Sequence, residues 1–468
     1  MDKCFFNENE FTKPLQFFKK SIVNNSNFQK ISKYYLINST KYKLKLKQLI
    51  AMIELVIACF IGILIGTTTG MIPGIHVNTA GAILFASSSF LLTILSPEFL
   101  CVLMVAMSIA HALIEFVPSM LLGVPQEGTA TSILPGHRMV LQGRSKEVIR
   151  IVSVGGFGAI IVTILMMPIF AVALPIMHDL TKPFTWIILL AASVYLTYSM
   201  TNSMRDFLWS LLLFILSGIL GWIIFQIPIS SGVSLMCTFS GLFGISTILF
   251  SLNDSSTIPH QNKFYELNLD LGKYKSIFAG GITGAILGFL PGFGPAQGTV
   301  IAQAASGTND NDDDDTVNFL LATSGLNVSD CLFSLIAIYI IGNPRSGIAV
   351  YMSYLISEMT LNHLMIFIFA SLIAVSVSLV LSLKLGDSFS RLMGGVDYKK
   401  LSIGVILLQI LILYIFIFYY QAPVFYMTLA LITSTAMGML PHYIGVGKSH
   451  LMGILIVPAI VIYMQMFI

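Results

Sequence analysis

Charge is what this sequence has least of. Only 10% of its 468 residues are Asp, Glu, Lys or Arg, 56% are hydrophobic, and the mean hydropathy is +0.86. A water-soluble domain carries about a quarter charged residues, so water is excluded as the main solvent of this chain. The five cysteines (Cys4, Cys59, Cys101, Cys237, Cys331) are scattered, four of them in apolar runs, and none forms a CxxC pair. That spacing offers neither a metal site nor a disulfide framework, and no metal or cofactor is expected. HExxH, a GxSxG elbow and paired carboxylates at a common break are all missing, so the pattern supplies no enzyme chemistry. The polar breaks at 136–150, 252–275, 306–316 and 384–400 are each too short to fold as a soluble domain, which places the function in or beside a membrane.

What the sequence does have is apolar runs long enough to cross a hydrocarbon core of about 30 Å, recurring from Leu49 to the last residue, about ten to twelve in all. Hydrocarbon offers backbone N–H and C=O groups no partner, and these runs lack the alternation of barrel strands. They are expected to be helices, giving an all-α, polytopic integral membrane protein. Residues 1–48 form a different segment, with ten of the 25 Lys/Arg and three acids (Asp2, Glu8, Glu10). Basic residues directly before a first span predict a cytoplasmic N-terminus. No apolar core precedes Leu49, so the segment does not read as a signal peptide and is expected to stay on the mature protein. Its aromatics interleaved with Lys suit an anionic membrane surface; a disordered basic tail that only sets topology is the plainer alternative.

Two short motifs fail on inspection. The run Asn309 to Asp315 has acids at alternate positions, but Asp315 stands where a calcium loop needs Gly and Leu321 where it needs a bidentate Glu, so a solvated outer loop is expected. Gly447-Lys448-Ser449 resembles the end of a phosphate-binding loop, yet His442 occupies the first glycine position and no α/β unit follows.

The most informative feature is an internal duplication. The segment Gly66 to Gly74 (GTTTGMIPG) aligns without gaps on Gly284 to Gly292 (GAILGFLPG), with four Gly/Pro identities at an offset of 218. Gly123-Val124-Pro125 matches Gly342-Asn343-Pro344 at an offset of 219. The chain thus divides into the basic segment 1–48, a first half 49–250, a connecting loop 251–275 and a second half 276–468, the halves being expected as inverted repeats. Gly tolerates unusual backbone angles and Pro removes a donor, so Pro73-Gly74 and Pro291-Gly292 should each interrupt a helix inside the bilayer. Interrupted helices at matching places in two halves point to a carrier's binding site, because their ends expose backbone N–H and C=O groups to a solute. Close helix packing through glycine is the structural alternative.

Polar side chains follow both breaks: His76, Asn78 and Thr79 after the first, Gln297, Thr299 and Gln303 after the second. Further on lie Asn327, Asp330 and, just past Pro344, Arg345, a permanent cation suited to clamp an anion. His111 and Glu115, spaced i,i+4 on one helix face, are candidates for a coupling proton or ion; they alternatively just satisfy one another. By offset, His111 corresponds to Asp330. Arg345 has its own alternative, that of a topology anchor reaching the headgroups.

The Gly-x3-Gly-x2-Pro-Gly repeats, the stretch Gly123 to Gly143 (GVPQEGTATSILPGHRMVLQG) and the ending from Gly438 through Pro458 resemble the large permease subunit of tripartite tricarboxylate transporters, especially its archaeal branch. The resemblance covers roughly residues 50–468, with Gly136, Met139 and Gly143 matching the loop after the first half and Asn327 an asparagine of the second. Pro135 stands where bacterial members usually place an acid, and the glutamate and second asparagine near Asn327 are missing. The resemblance implies a secondary, ion-coupled carrier (H⁺ or Na⁺) for a di- or tricarboxylate, working with a small membrane subunit and an extracytoplasmic solute-binding protein. A translocase of a lipid-linked phosphate, such as polyprenyl phosphate, stays open because a similar pair of Pro-Gly repeats is found in such a family. A non-transporting membrane scaffold is the third class.

Overall fold

Where backbone polar groups cannot reach water, they must pair within their own segment, and the chain does so with helices throughout. In the computed structural model no strand occurs among the described residues. The structure describes residues 26–467 except 73–74, 76, 123–128, 130–131, 200, 202, 227–230, 253–260, 262–264, 266, 288–297, 300–301, 303–312, 343 and 393–397. Seven helices among them are long and apolar enough to cross a membrane: Gln48–Met71, Pro97–Leu121, Ser145–Thr181, Met204–Gln226, Asp314–Ile341, Leu361–Arg391 and Val424–Ile444. Shorter apolar helices occupy Thr185–Tyr195, Cys237–Phe250, Ile406–Tyr419 and His450–Met466. This is a multi-pass membrane protein.

In chain order the helices are α1 (Ser26–Met71), α2 (Val77–Ala86), α3 (Pro97–Ile114), α4 (Phe116–Leu122), α5 (Ile133–Leu141), α6 (Ser145–Thr181), α7 (Thr185–Ser199), α8 (Met204–Gln226) and α9 (Ser231–Phe239). A π-helical turn, Ser240–Ile245, joins α9 to α10 (Ser246–Ser251). The second part comprises α11 (Leu271–Leu287), α12 (Asp313–Ile341), α13 (Gly347–Leu355), α14 (Leu361–Leu392), α15 (Tyr398–Tyr419), α16 (Val424–Ile444) and α17 (Gly453–Phe467). Contacts divide the chain into two units, Met1–Val56 and Ile57–Ile468. Among described residues the first holds only the N-terminal part of α1, and the rest of the architecture belongs to the second.

Some stretches expected as polar breaks are helical. Much of 136–150 falls in α5 and the start of α6, and Asp313, Asp314 and Asp315 open α12 instead of ending a loop. Acids there complement the positive end of the helix dipole, which is why a polar run extends the helix. Residues 306–312 lie outside the described residues. Asp206 is in the first turn of α8, where the Ser203 hydroxyl accepts from its backbone N–H at 3.1 Å.

The centre of the bundle is α3. Ser96 caps it, accepting from the Phe99 N–H at 3.1 Å, Pro97 occupies its first turn without losing an intrahelical bond, and every residue from Phe99 to Ile114 is buried. Three glycines let α1 lie directly on it: a Cβ on Gly62 would strike the Leu103 carbonyl, one on Gly66 the Met107 carbonyl and the His111 N, and one on Gly70 would crowd the His111 carbonyl and the Glu115 N. Residue numbers rise together along this contact, so α1 and α3 run the same way, and residues 72–96 must carry the chain back between them. Gly280 meets the Ala322 carbonyl, and Gly284 meets the Leu326 carbonyl and the Asp330 N. Thus α11 lies on α12 as α1 lies on α3, with glycines 218 residues and their targets 219 residues further along.

Across the two parts the direction reverses. Ser108 pairs with Cys331 while the Asn327 amide reaches the Ala112 carbonyl, so numbers on α3 rise as those on α12 fall. Likewise α6 meets α14 through Ser145 with Ser390, Lys146 with Asp387 at 3.3 Å, Gly386 against Ile149, and Ser153 with Ser382. Both pairs are antiparallel.

Candidate functional site

Helix α1 stops at Met71, level with His111–Glu115 of α3, and α2 begins at Val77; the chain between them turns through hydrogen bonds from Ile72 N to Thr69 O and from Ile75 N to Ile72 O, both 3.3 Å. Between the two helices only Ile72 and Ile75 are described, and neither is helical. Pro73, Gly74 and His76 themselves lie outside the described residues, as do Pro291, Gly292, Gln297 and Gln303. On the second side α11 ends at Leu287. Gly298 nearby fits only because it lacks a Cβ, which would strike Leu287.

A polar cluster lies just beneath the first interruption. Thr69, in the last turn of α1, places its Oγ1 2.9 Å from His111 Nδ1. Nε2 of His111 lies 3.8 Å from Glu115 Oε2, one helical turn on. From the other part of the chain the Asn327 amide donates to Glu115 Oε1 at 2.6 Å and to the Ala112 carbonyl at 2.9 Å. His111, Glu115 and Asn327 are 2%, 6% and 4% exposed, so this is a buried network in which a bare carboxylate would be very costly without donors. His111 and Glu115 do lean on one another, as one reading of the sequence had it, but the pair also bridges α1, α3 and α12. Asp330 is half-buried and stands beside Gly284 as His111 stands beside Gly66.

A second gathering forms at the start of α2. Gly347, the first residue of α13, has the Asn78 side chain so close that a Cβ would be 2.7 Å from its Oδ1. Further along, Ile348 and Tyr351 line Gly81, and Phe85 stacks on Tyr351 with centroids 5.0 Å apart. Helices α2 and α13 thus run side by side with their N-termini together, which concentrates N–H groups that have no acceptor within their own helix, and the positive ends of two helix dipoles, in one place. Ser346 caps α13 by accepting from the Ala349 N–H at 3.2 Å. Arg345, immediately before it, is partly buried and has the Tyr463 hydroxyl of α17 as a side-chain partner. The structure therefore brings Gly347, two residues after Arg345, from the second part of the chain to Asn78 in the first. Thr79 belongs to the same turn of α2, and its side chain is outside the described residues.

Sequence reasoning missed Thr69 and Lys448. The threonine lies inside the repeated Gly/Pro segment, and its alignment partner Leu287 is apolar, so the repeat carries no polar signal at that position. Lys448 reaches into the π-helical turn, donating to Ser246 Oγ at 2.7 Å and to the Leu242 carbonyl at 3.4 Å. A π turn frees carbonyls from the regular ladder, and that acceptor leaves no trace in the order of residues. Among the described residues no group of three or more His, Cys, Asp or Glu is placed to hold a metal ion.

A buried polar network joining α1, α3 and α12, with the N-termini of α2 and α13 meeting through Asn78 and Gly347, is an arrangement suited to a solute carrier. Residues 56–453 match the model of the tripartite tricarboxylate transporter TctA family, and the chain belongs to that family. It is accordingly a permease of a carboxylate transport system and not an enzyme. Among curated proteins it is 27% identical over 409 residues to the uncharacterized protein MJ1079 of Methanocaldococcus jannaschii, covering 86% of this chain and 98% of that one. It is also 25% identical over 267 residues to an uncharacterized 52.8 kDa protein in the TAR-I ttuC' 3' region of Agrobacterium vitis, 54% of this chain and 52% of the other. No solved structure matches.

Proposed function

We propose that the chain moves a small di- or tricarboxylate across the membrane in exchange for, or together with, a proton, with the anion held at the start of α2 and α13 and the proton at His111–Glu115. The observation that carries the anion site is the meeting of Asn78 and Gly347, which joins two helix N-termini beside Arg345. Each N-terminus contributes roughly half a positive charge and N–H donors that lack an intrahelical acceptor, and the guanidinium supplies a full charge with a planar fork that matches a carboxylate. Pro73, Gly74, His76 and Thr79 are proposed to complete this side, and Pro291, Gly292, Gln297, Asn327 and Asp330 its counterpart in the second half. The spaced recurrence of the Gly62/Gly66 contacts at Gly280/Gly284, together with the antiparallel pairs α3–α12 and α6–α14, supports reading the halves as inverted repeats. An extracytoplasmic solute-binding protein and a small membrane subunit are the partners the family implies.

The test is a thermal-shift screen of the purified chain against di- and tricarboxylates, inorganic phosphate and lipid phosphates. A ligand that binds only the folded protein raises its stability by about 2.7 kcal/mol at a hundredfold excess over Kd. Stabilisation by citrate or succinate is expected. Stabilisation by polyprenyl phosphate alone would replace the carboxylate reading with the lipid one.

A further inference from the structure

The Thr69 hydroxyl has one hydrogen and three neighbours. The carbonyls of Ile65 and Gly66 lie 2.9 and 3.2 Å away, and His111 Nδ1 lies 2.9 Å away. Were the hydrogen given to Nδ1, the oxygen would face two carbonyl oxygens at contact distance with nothing between them. Given to the Ile65 carbonyl, as helical threonines commonly do, it leaves a lone pair aimed at Nδ1, which must then carry a proton. We infer that Thr69 is a positioning residue that fixes His111 in the Nδ1–H form, leaving Nε2 as the proton-accepting atom opposite Glu115. The inference rests on the proton-site reading proposed above.

The rest of the network agrees with that assignment. Asn327 donates to Glu115 Oε1, so that oxygen is an acceptor and the carboxylate is held by its other edge. Glu115 Oε2 and His111 Nε2 then face each other at 3.8 Å, too far for a direct hydrogen bond. A proton arriving on Nε2 turns a net negative pair into a neutral ion pair, with the Nδ1–H bond to Thr69 unchanged. The surrounding elements add few charges. Beyond residue 56, α1 carries only Cys59, α2 carries none, α13 offers Tyr351 and Tyr354, and α12 contributes Asp330 and Cys331, with Asp313, Asp314 and Asp315 at its start and Tyr339 in its last turn. Helices α6 and α14 keep theirs near their ends, at Lys146, Glu147, Arg150, His178 and Asp179, and at His363, Lys384, Asp387 and Arg391.

Thr69 is three residues from Ile72, whose N–H bonds the Thr69 carbonyl at the start of the interruption. The Thr69 hydroxyl is thus the acceptor that holds the imidazole at the end of α1. Loss of that acceptor frees the ring to take the Nε2–H form and blocks the proton-accepting edge.

The test uses the full chain in lipid nanodiscs with ¹⁵N-labelled histidine, the His111 signals being assigned through His111→Gln. Wild type at high pH should show a protonated Nδ1 and a bare Nε2. Thr69→Val, which keeps the shape, should shift His111 toward the Nε2–H form, and Thr69→Ser should restore the wild-type signals. The pH profile of succinate-induced thermal stabilisation should move by about half a pH unit or more in Thr69→Val and stay in place in Thr69→Ser. An Nε2–H form in the wild type, or an Nδ1–H form retained in Thr69→Val, overturns the inference. A profile flattened by His111→Gln but unmoved by Thr69→Val overturns the role of Thr69 alone, whereas a profile untouched by His111→Gln removes the proton site and the role of Thr69 with it.

Discussion

Asn327 donates to Glu115 at 2.6 Å across 212 positions of sequence. Its second amide hydrogen goes to the Ala112 carbonyl in the same helix, so one side chain of α12 ties down both the backbone and the carboxylate of α3. Replacing Asn327 by Leu keeps the bulk and removes both donors. The carboxylate then stays buried with less compensation, and a loss of about 1–3 kcal/mol of stability is expected. Asn327→Asp should be worse, because it sets a second carboxylate against Glu115. Thermal unfolding of the purified variants measures both; wild-type stability in Asn327→Leu would show that the bond contributes little.

Matched effects are predicted at Gly66 and Gly284. A methyl group at either position meets a carbonyl of the neighbouring helix, Met107 in one case and Leu326 in the other, and backbone cannot rotate away as a side chain would. Gly66→Ala and Gly284→Ala should each cost about 1–3 kcal/mol. Gly404→Ala is the control: nothing lies within 4 Å of the added carbon, and alanine in a helix should stabilise by about 0.4–1 kcal/mol. Unequal losses at the two paired glycines would argue that the contacts are not equivalent.

Arg345→Lys separates an anion clamp from a charged anchor. Lysine keeps the charge but not the planar two-pronged donor, so a clamp loses most of its affinity for a dicarboxylate while an anchor does not. Calorimetry with succinate or citrate reads the difference. Wild-type affinity in this variant would remove Arg345 from the site.

Topology follows from the helix directions. Since α1 runs with α3 and α3 runs against α12, Lys30 before the first span and Asp313 at the start of α12 should lie on opposite sides of the membrane, the basic segment being cytoplasmic. Cysteines placed at these two positions should label from opposite faces. Labelling of both from one face would rule out the inverted arrangement.

Replacing Pro73-Gly74 by Ala-Ala should let α1 propagate toward α2 and close the backbone groups exposed between them. Uptake should be lost while the protein still inserts. Full uptake by a well-expressed variant would return Pro73 and Gly74 to a packing role.

Hydropathy, proline and glycine spacing by themselves determined a great deal: helices through a membrane, an end to α1 just before Pro73, and the recurrence of Gly66 at Gly284, each of which the structure sets against a neighbouring helix. These properties are legible because each depends on residues close in sequence, on transfer to hydrocarbon, a missing donor or a missing Cβ. The residues that meet at the site are another matter. That Glu115 finds Asn327 and not another amide, that Gly347 comes to Asn78 and Arg345 to Tyr463, and that Lys448 inserts into a π turn at Leu242 were decided by the order and tilt of packed helices. Helix propensity and hydropathy are nearly blind to that choice, because any of several arrangements buries the same apolar faces. It is the demand that each buried polar group find a partner that selects one arrangement, and such partners lie hundreds of residues apart.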